Sequence, residues 1–432
     1  MIKITREELR DGGSAASRTG PLDLFWQGIR AEETRKTYTR TLRRLLCGAL
    51  EEVLEGTFEE RAAQLVRLGK DDPDRTLDLV LRISGKIRAR SSLPHDHPDY
   101  FNPSGVPNYF KPLKKLFDMN GVTMPWKRIY STFPESDNVT ESRGWTRGEI
   151  QSMLRFAKGS ADRAVILVAA SSGIRAGGFE LLRWSDLRPI YRVAAGEGGS
   201  GEGDGSSSSD VLSFEHGGDG TTAEPVCAML TVYARTNASY PAFVTPEAYA
   251  AVMDYRNVWA AEVGRSPEPG DPIFKRVGSL PAKATTPLIK RRIEKVADAA
   301  GLRASGRKSR NLFDVPIMNG FRRFWNKACK ESSSRESPLS SLIRKEYMMG
   351  HVGLVSLDRN YFKTHVMELA EEYLQSVPHL TIDDAARLRL ANARQSERIG
   401  LLEDEKDREI AKLRLMVEQL AGRIESYSSR GI

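Results

Sequence analysis

Apolar residues recur at three- and four-residue steps among strong helix formers over residues 31–54, which predicts an amphipathic helix. A proline-rich stretch at 94–107 interrupts the helical texture, and a second helix is expected at 109–119, stopped by Asn120-Gly121. Residues 21–130 therefore read as one helical domain behind a tail at 1–20, and the polar stretch 131–144 reads as a linker. Beyond it, Thr146 is a candidate N-cap with Glu149 three residues on. Helical texture continues to Ala170, breaks at Ser171-Ser172-Gly173, and resumes briefly through Trp184. Two short apolar runs, 228–233 and 240–245, flank a polar turn and predict a strand pair. Pro246 suits the first turn of a helix to about residue 261, and further helices are expected at 286–299, 320–331, 339–349 and 364–376. In the last segment, 381–432, Ile410, Leu413, Val417, Leu420, Ile424 and Tyr427 alternate steps of three and four. Ile399 fits the same seam with Lys406 between, a short coiled-coil pattern that packing on its own domain would explain equally well. The fold class is thus mainly α with a small β-sheet.

Composition adds a polyanionic partner to this picture. The 432 residues carry 65 Lys+Arg against 57 Asp+Glu, a net +8. Residues 195–225 hold seven acids and no base, are rich in Gly and Ser, and read as a flexible insertion. Residues 382–432 hold ten of each sign, so the remaining body carries 55 bases against 40 acids, a net +15. Arg30, Arg35, Lys36, Arg40, Arg43 and Arg44 crowd one helical stretch, where they suit either phosphate contacts or a solvated face. Cys47, Cys227 and Cys329 lie far apart, without zinc spacing or a disulfide framework. No metal or cofactor is expected. Residues 1–13 are polar and predict no secretory leader, and no apolar run reaches the length of a membrane span, so a cytoplasmic, nucleoid-associated protein is expected.

Three short motifs carry the chemistry. Ser171-Ser172-Gly173-Ile174-Arg175 places an arginine after a glycine turn, ahead of Leu181-Leu182-Arg183-Trp184-Ser185-Asp186. Asn319-Gly320-Phe321-Arg322-Arg323-Phe324-Trp325 places another where a helix begins. Met348-Met349-Gly350-His351 is followed ten residues later by Tyr361 in Asp358-Arg359-Asn360-Tyr361-Phe362. Singly, each is explained by a surface arginine, a helix-end histidine or a packed tyrosine; the ordered set is more specific.

Over about residues 145–380 the ordered set resembles the tyrosine recombinases of the phage-integrase family, most of all their archaeal branch. Asn120-Gly121 and Pro125-Trp126-Lys127 resemble that branch less specifically. The resemblance implies an N-terminal helical domain that grips the DNA core site, a catalytic domain at 145–380, and a covalent 3′-phosphotyrosyl intermediate formed by Tyr361. Arg175 and Arg322 would clamp the phosphate with paired forks, and His351 would add a donor or assist proton transfer. The partners implied are double-stranded DNA and further copies of the chain, four on two sites, which integrate or excise a mobile element. Three positions depart from the family. Asn319 stands where the family has a histidine three residues before the second arginine. Gly178 stands where it often has a glutamate, with Glu180 nearby. No lysine occurs between Lys158 and Lys275, so the hairpin lysine is replaced by Arg235 or supplied by Lys275. Arginine is a poor general acid. A DNA-binding protein of the same fold with lost or weak catalysis is therefore the alternative reading from another class; a relaxing topoisomerase with the same chemistry is a nearer alternative, and a coiled-coil scaffold a remote one.

Overall fold

The computed structural model describes residues 20–94, 97–135, 142–193, 211–215, 224–303, 313–332, 338–351 and 365–428. The chain divides into two units, Met1–Glu141 with Lys308–Leu312, and Ser142–Arg307 with Phe313–Ile432.

The first unit is helical: α1 (Pro21–Gln27), α2 (Glu32–Arg44), α3 (Phe58–Asp71), α4 (Pro73–Ser91), α5 (Val106–Met119) and α6 (Trp126–Tyr130). Phe25, Leu42, Leu65, Phe110, Leu116 and Phe117 form the centre of its core. The helix predicted over 31–54 is shorter, because α2 gives way to a five-residue π-turn at Leu45–Ala49. Leu42, Leu45, Leu46 and Leu50, spaced by the steps that predicted the helix, all lie in the core. Thr57 and Glu60 form a reciprocal capping box at the start of α3. At the end of α5 the buried Asn120 amide donates to the carbonyls of Leu116 (2.8 Å) and Pro21 (3.0 Å), tying α5 to α1.

The second unit surrounds α8 (Ser160–Ser172), in which every residue from Ala164 to Ser172 is buried. Before it comes α7 (Arg147–Phe156), opened by the expected Thr146–Glu149 capping box. After it come α9 (Ala176–Leu181) and four strands: β1 (Leu187–Val193), β2 (Val211–Ser213), β3 (Cys227–Val232) and β4 (Tyr240–Val244). The strands form one antiparallel sheet in the order β2-β1-β3-β4, with Leu187 opposite Leu230 and Val232 opposite Tyr240. Helices α10 (Pro246–Val263), α11 (Thr286–Ala299), α12 (Ile317–Glu331), α13 (Pro338–Met348), α14 (Val366–Leu380) and α15 (Asp384–Ser428) complete the unit. The molecule is mainly helical with one small antiparallel sheet, as its patterning implies.

The sheet has two strands more than the sequence predicts. β1 carries Arg188, Pro189 and Arg192 and shows no clean alternation; its pairing with β3 makes it a strand. β2 corrects the reading of 195–225 as wholly flexible: Val211, Leu212 and Ser213 pair with Val193, Arg192 and Tyr191, and Leu212 is buried. The rest of that insertion, apart from residues 214–215 and 224–225, lies outside the described residues. At the joint between α14 and α15 the Arg147 guanidinium donates to the carbonyls of His379 (2.6 Å) and Thr381 (3.2 Å), and the Gln151 amide to that of Ile382 (2.9 Å). The Glu247 carboxylate receives the main-chain N–H groups of Ile382 (2.8 Å) and Asp383 (3.1 Å).

Candidate functional site

Three of the singled-out residues meet where α8 ends, α12 begins and α13 ends. Arg175 occupies the N-cap position of α9, just after the turn at Gly173. Gly173 has φ +59°, and a Cβ there would come within 2.8 Å of the Trp325 ring, so both its conformation and its space call for glycine. Arg322 lies in the second turn of α12, with one Nη donating to the Gly173 carbonyl and the other to the Met349 carbonyl, both at 2.7 Å. Arg175 Nη1 reaches the Gly350 carbonyl at 3.1 Å and the Met349 carbonyl at 3.5 Å. Gly350 has φ +65°, and a Cβ there would fall 2.4 Å from the Tyr240 ring. This turn brings His351 back over Arg322.

The imidazole is held from both sides. His351 Nε2 lies 2.7 Å from Arg322 Nη2, and Nδ1 lies 2.5 Å from Glu346 Oε2. A guanidinium can only donate, so Nε2 accepts, and Nδ1 carries the proton that faces Glu346. Glu346 therefore fixes the tautomer. It belongs to the last turns of α13, five residues before His351, where a carboxylate reads in the sequence as an ordinary helix-surface group.

Two guanidinium groups share this site without a neutralising carboxylate. Among the described residues neither Arg175 nor Arg322 forms an ion pair. Burial lowers the affinity of Arg322 for its proton, and the Arg175 charge lowers it further. Two tyrosines outside the predicted set line the same region. Burial pushes the Tyr240 phenol up to about 12, against the pull of Arg322 and Arg175; its buried hydroxyl lies beside Arg322 without reaching hydrogen-bond geometry. Burial likewise raises the Tyr233 phenol, which both arginines pull down. Such a constellation can bind an oxyanion and stabilise charge that grows on it.

The remaining candidates stand differently. Asn319 is exposed in the first turn of α12. Arg235, at φ +67° in the β3–β4 turn, is held by Asp186, with two bonds of 3.1 Å to the two oxygens of a nearly buried carboxylate. Lys275 is buried in an ion pair with Glu262 and donates to the Gly278 carbonyl at 2.6 Å, so its ammonium is already enclosed. Glu180 accepts from the Thr286 main chain at the start of α11 and pairs with Lys283 at 3.0 Å. Tyr361 lies outside the described residues. In the first unit, Arg30, Arg35, Lys36, Arg40, Arg43 and Arg44 are all exposed; Arg43 stacks on the Phe58 ring at 4.7 Å, and Lys36 pairs with Glu32. Among the described residues no His, Cys, Asp or Glu cluster could hold a metal, and no helix is long and apolar enough to cross a membrane.

No family model and no curated protein matches the chain. Among solved structures it is similar to the crystal structure of XerA recombinase, at 13% identity over 83% of this chain and 98% of that one, with a TM-score of 0.31. It is also similar to a lambda integrase dimer bound to a COC′ core site, at 13% identity over 78% of this chain and 93% of that one, TM-score 0.42. A third is XerH site-specific recombinase bound to difH substrate in a pre-cleavage complex, at 13% identity over 84% and 95%, TM-score 0.37.

Proposed function

We propose that this chain is a site-specific DNA recombinase that breaks and rejoins duplex DNA through a covalent 3′-phosphotyrosyl intermediate, integrating or excising a mobile element. The observation that carries the reading is the convergence of Arg175 and Arg322 on the Met349–Gly350 main chain with His351 against Arg322, and with no carboxylate paired to either guanidinium among the described residues. An unneutralised pair of arginines is stabilised by an anion, and a scissile phosphate has the oxygens their forks fit.

In the proposed reaction the Tyr361 hydroxyl oxygen attacks phosphorus and the bond to the 5′-oxygen breaks. The tyrosine gives up its proton, the 5′-oxygen leaves as a hydroxyl, and the phosphate becomes a diester of Tyr361. A 5′-hydroxyl from a second strand then reverses these steps. The bond energy is kept in the phosphotyrosyl link, so rejoining needs no separate energy source. Arg175 and Arg322 stabilise the growing negative charge, where such donors act most strongly. His351, oriented by Glu346, assists proton transfer, and Asn319 contributes a hydrogen-bond donor. The helical unit at 21–130 would grip the duplex through the exposed bases of α2, contacts that give affinity without sequence information. The unit at 145–380 would carry the chemistry, in a tetramer on two DNA sites.

A nicked duplex tests this directly, because loss of the short downstream fragment traps the covalent complex. Wild type should give a protein–DNA adduct, and Tyr361→Phe should give none. The absence of any adduct on cognate attachment-site DNA would overturn the reading.

One observation favours the second reading, a DNA-binding protein with weak or lost catalysis. Arg235 is bound by Asp186 and Lys275 by Glu262, so neither basic group offered for the hairpin role is unengaged. Retained duplex binding without an adduct would select that reading.

A further inference from the structure

We propose that the distal part of α15 pairs with the same segment of a second copy of this chain, as a parallel two-stranded coiled coil running from Ile410 to Tyr427.

Between residues 413 and 420 the apolar seam of this helix is not covered by its own unit. Leu413, Val417 and Leu420 are 56%, 64% and 56% exposed, and Met416 beside them is 62% exposed. Their spacing places Ile410, Val417 and Ile424 at one set of seam positions, a, and Leu413, Leu420 and Tyr427 at the other, d. The residue types choose among partners. β-Branched residues at a with leucine at d pack best in a parallel pair of helices, where the Cβ branches fit the facing holes. Charge agrees with that choice. Glu409 precedes the Ile410 layer at a g position, and Arg414 follows five residues later at e. In a parallel, in-register pair, g of one helix faces the next e of the other, so each Glu409 meets Arg414 of the second copy, twice by symmetry. Upstream, Glu403 and Lys406 occupy seam positions and end the apolar run. The paired segment is then 18 residues, about 27 Å, short enough for reversible association.

Parallel pairing has a consequence that antiparallel pairing lacks. It puts the two Ser142–Arg307 units at the same end of the stalk, so one engaged on a DNA half-site raises the local concentration of the other.

The test uses the full-length chain without DNA, so it succeeds or fails independently of any catalytic reading. Sedimentation equilibrium should give twice the monomer mass at about 50 µM, with dissociation into monomers in the micromolar range. Leu413→Asp/Leu420→Asp should give a monomer at every concentration while thermal unfolding of the two units stays unchanged, since both side chains are exposed. Glu409→Lys should weaken association about threefold, and Glu409→Lys/Arg414→Glu should restore it. Orientation is read by Val417→Cys, which in a parallel pair faces its own copy and oxidises to a covalent dimer. A chain that stays monomeric at about 50 µM overturns the proposal. So does a dimer that survives the Leu413/Leu420 double substitution, or one in which Val417→Cys does not crosslink.

Discussion

The Arg175–Arg322 cluster and the Arg235–Asp186 corner treat positive charge in opposite ways within one unit. Arg235 reaches both oxygens of a carboxylate that is only 5% exposed, and that carboxylate also accepts the Arg183 main-chain N–H at 2.9 Å. Arg143 and Glu149 do the same at the start of α7, with bonds of 2.8 and 2.6 Å. These arginines are neutralised, and their geometry serves the fold. Arg322 is also half-buried, yet its donors end on main-chain carbonyls and the His351 imidazole, and the Arg175 charge works against its own. A guanidinium pair left without a carboxylate costs the folded state some repulsion. The difference is between arginines paired with a carboxylate and arginines whose forks end on main-chain carbonyls.

Substitutions can break this contrast, and the largest effect should fall on chemistry. Arg322→Ala should lower single-turnover cleavage of a nicked duplex by about 10²–10³-fold, the range for removing one donor to a developing oxyanion. Its melting midpoint should fall little or rise. A large loss of stability with cleavage intact would place Arg322 with the structural arginines. The reverse pattern is expected for Asp186→Ala, which strands the Arg183 N–H and unties Arg235. It should cost about 1–3 kcal/mol in denaturant unfolding and reduce cleavage only in proportion to folded protein.

A smaller effect tests the ligand-free cluster directly. Inorganic phosphate or sulfate, at about ten times its dissociation constant, should stabilise wild type by about 1.4 kcal/mol. The same addition should do nothing specific for Arg175→Ala/Arg322→Ala, and equal stabilisation of both proteins would remove the anion site. The smallest effect concerns pH. Burial works to raise the Glu149 carboxyl, but the Arg143 fork and the Thr146 main-chain and hydroxyl bonds outweigh it and hold the group below its ordinary value of 4.5. A folded value below the unfolded one means stabilisation that is present above about pH 4.5 and is lost as the pH falls through the folded value. Glu149→Gln should therefore be less stable than wild type near neutrality, by about 0.5 kcal/mol for so exposed a partner. The gap should close in acid, as urea midpoints measured across that range would show.

How much of this was legible beforehand depends on range along the chain. Thr146 with Glu149, Asn120 with Gly121, and Pro246 are local signals, and helices begin or end at each of them. β1 was not legible, because Arg188, Pro189 and Arg192 blur its alternation and its β3 partners lie some forty residues on. β2 was hidden by the Gly/Ser texture around it. In the candidate site, the order of Arg175, Arg322 and His351 was readable as a motif, while their partners were not. Asp186 is 49 residues from Arg235, and Tyr240 meets Gly350 across more than a hundred. Glu346 was near enough in sequence to notice, but only the turn at Gly350 makes it a neighbour of the imidazole. Non-local partners decide whether an arginine is structural or available, and periodicity carries no information on them.

The joint beneath α15 makes that helix a lever. Asp384 to Ser428 spans about 68 Å at 1.5 Å per residue, so a pivot of about 5° at its base moves the far end about 6 Å. The fulcrum consists of hydrogen bonds that Arg147 and Gln151 donate to the carbonyls of residues 379–382 and that the Glu247 carboxylate accepts from the N–H groups of Ile382 and Asp383. These three side chains lie far along the chain from one another's targets, on the first and fourth helices of the unit. A tilt of α7 or α10 by that angle, carried through these bonds, would displace the far end of the helix by the same few ångströms.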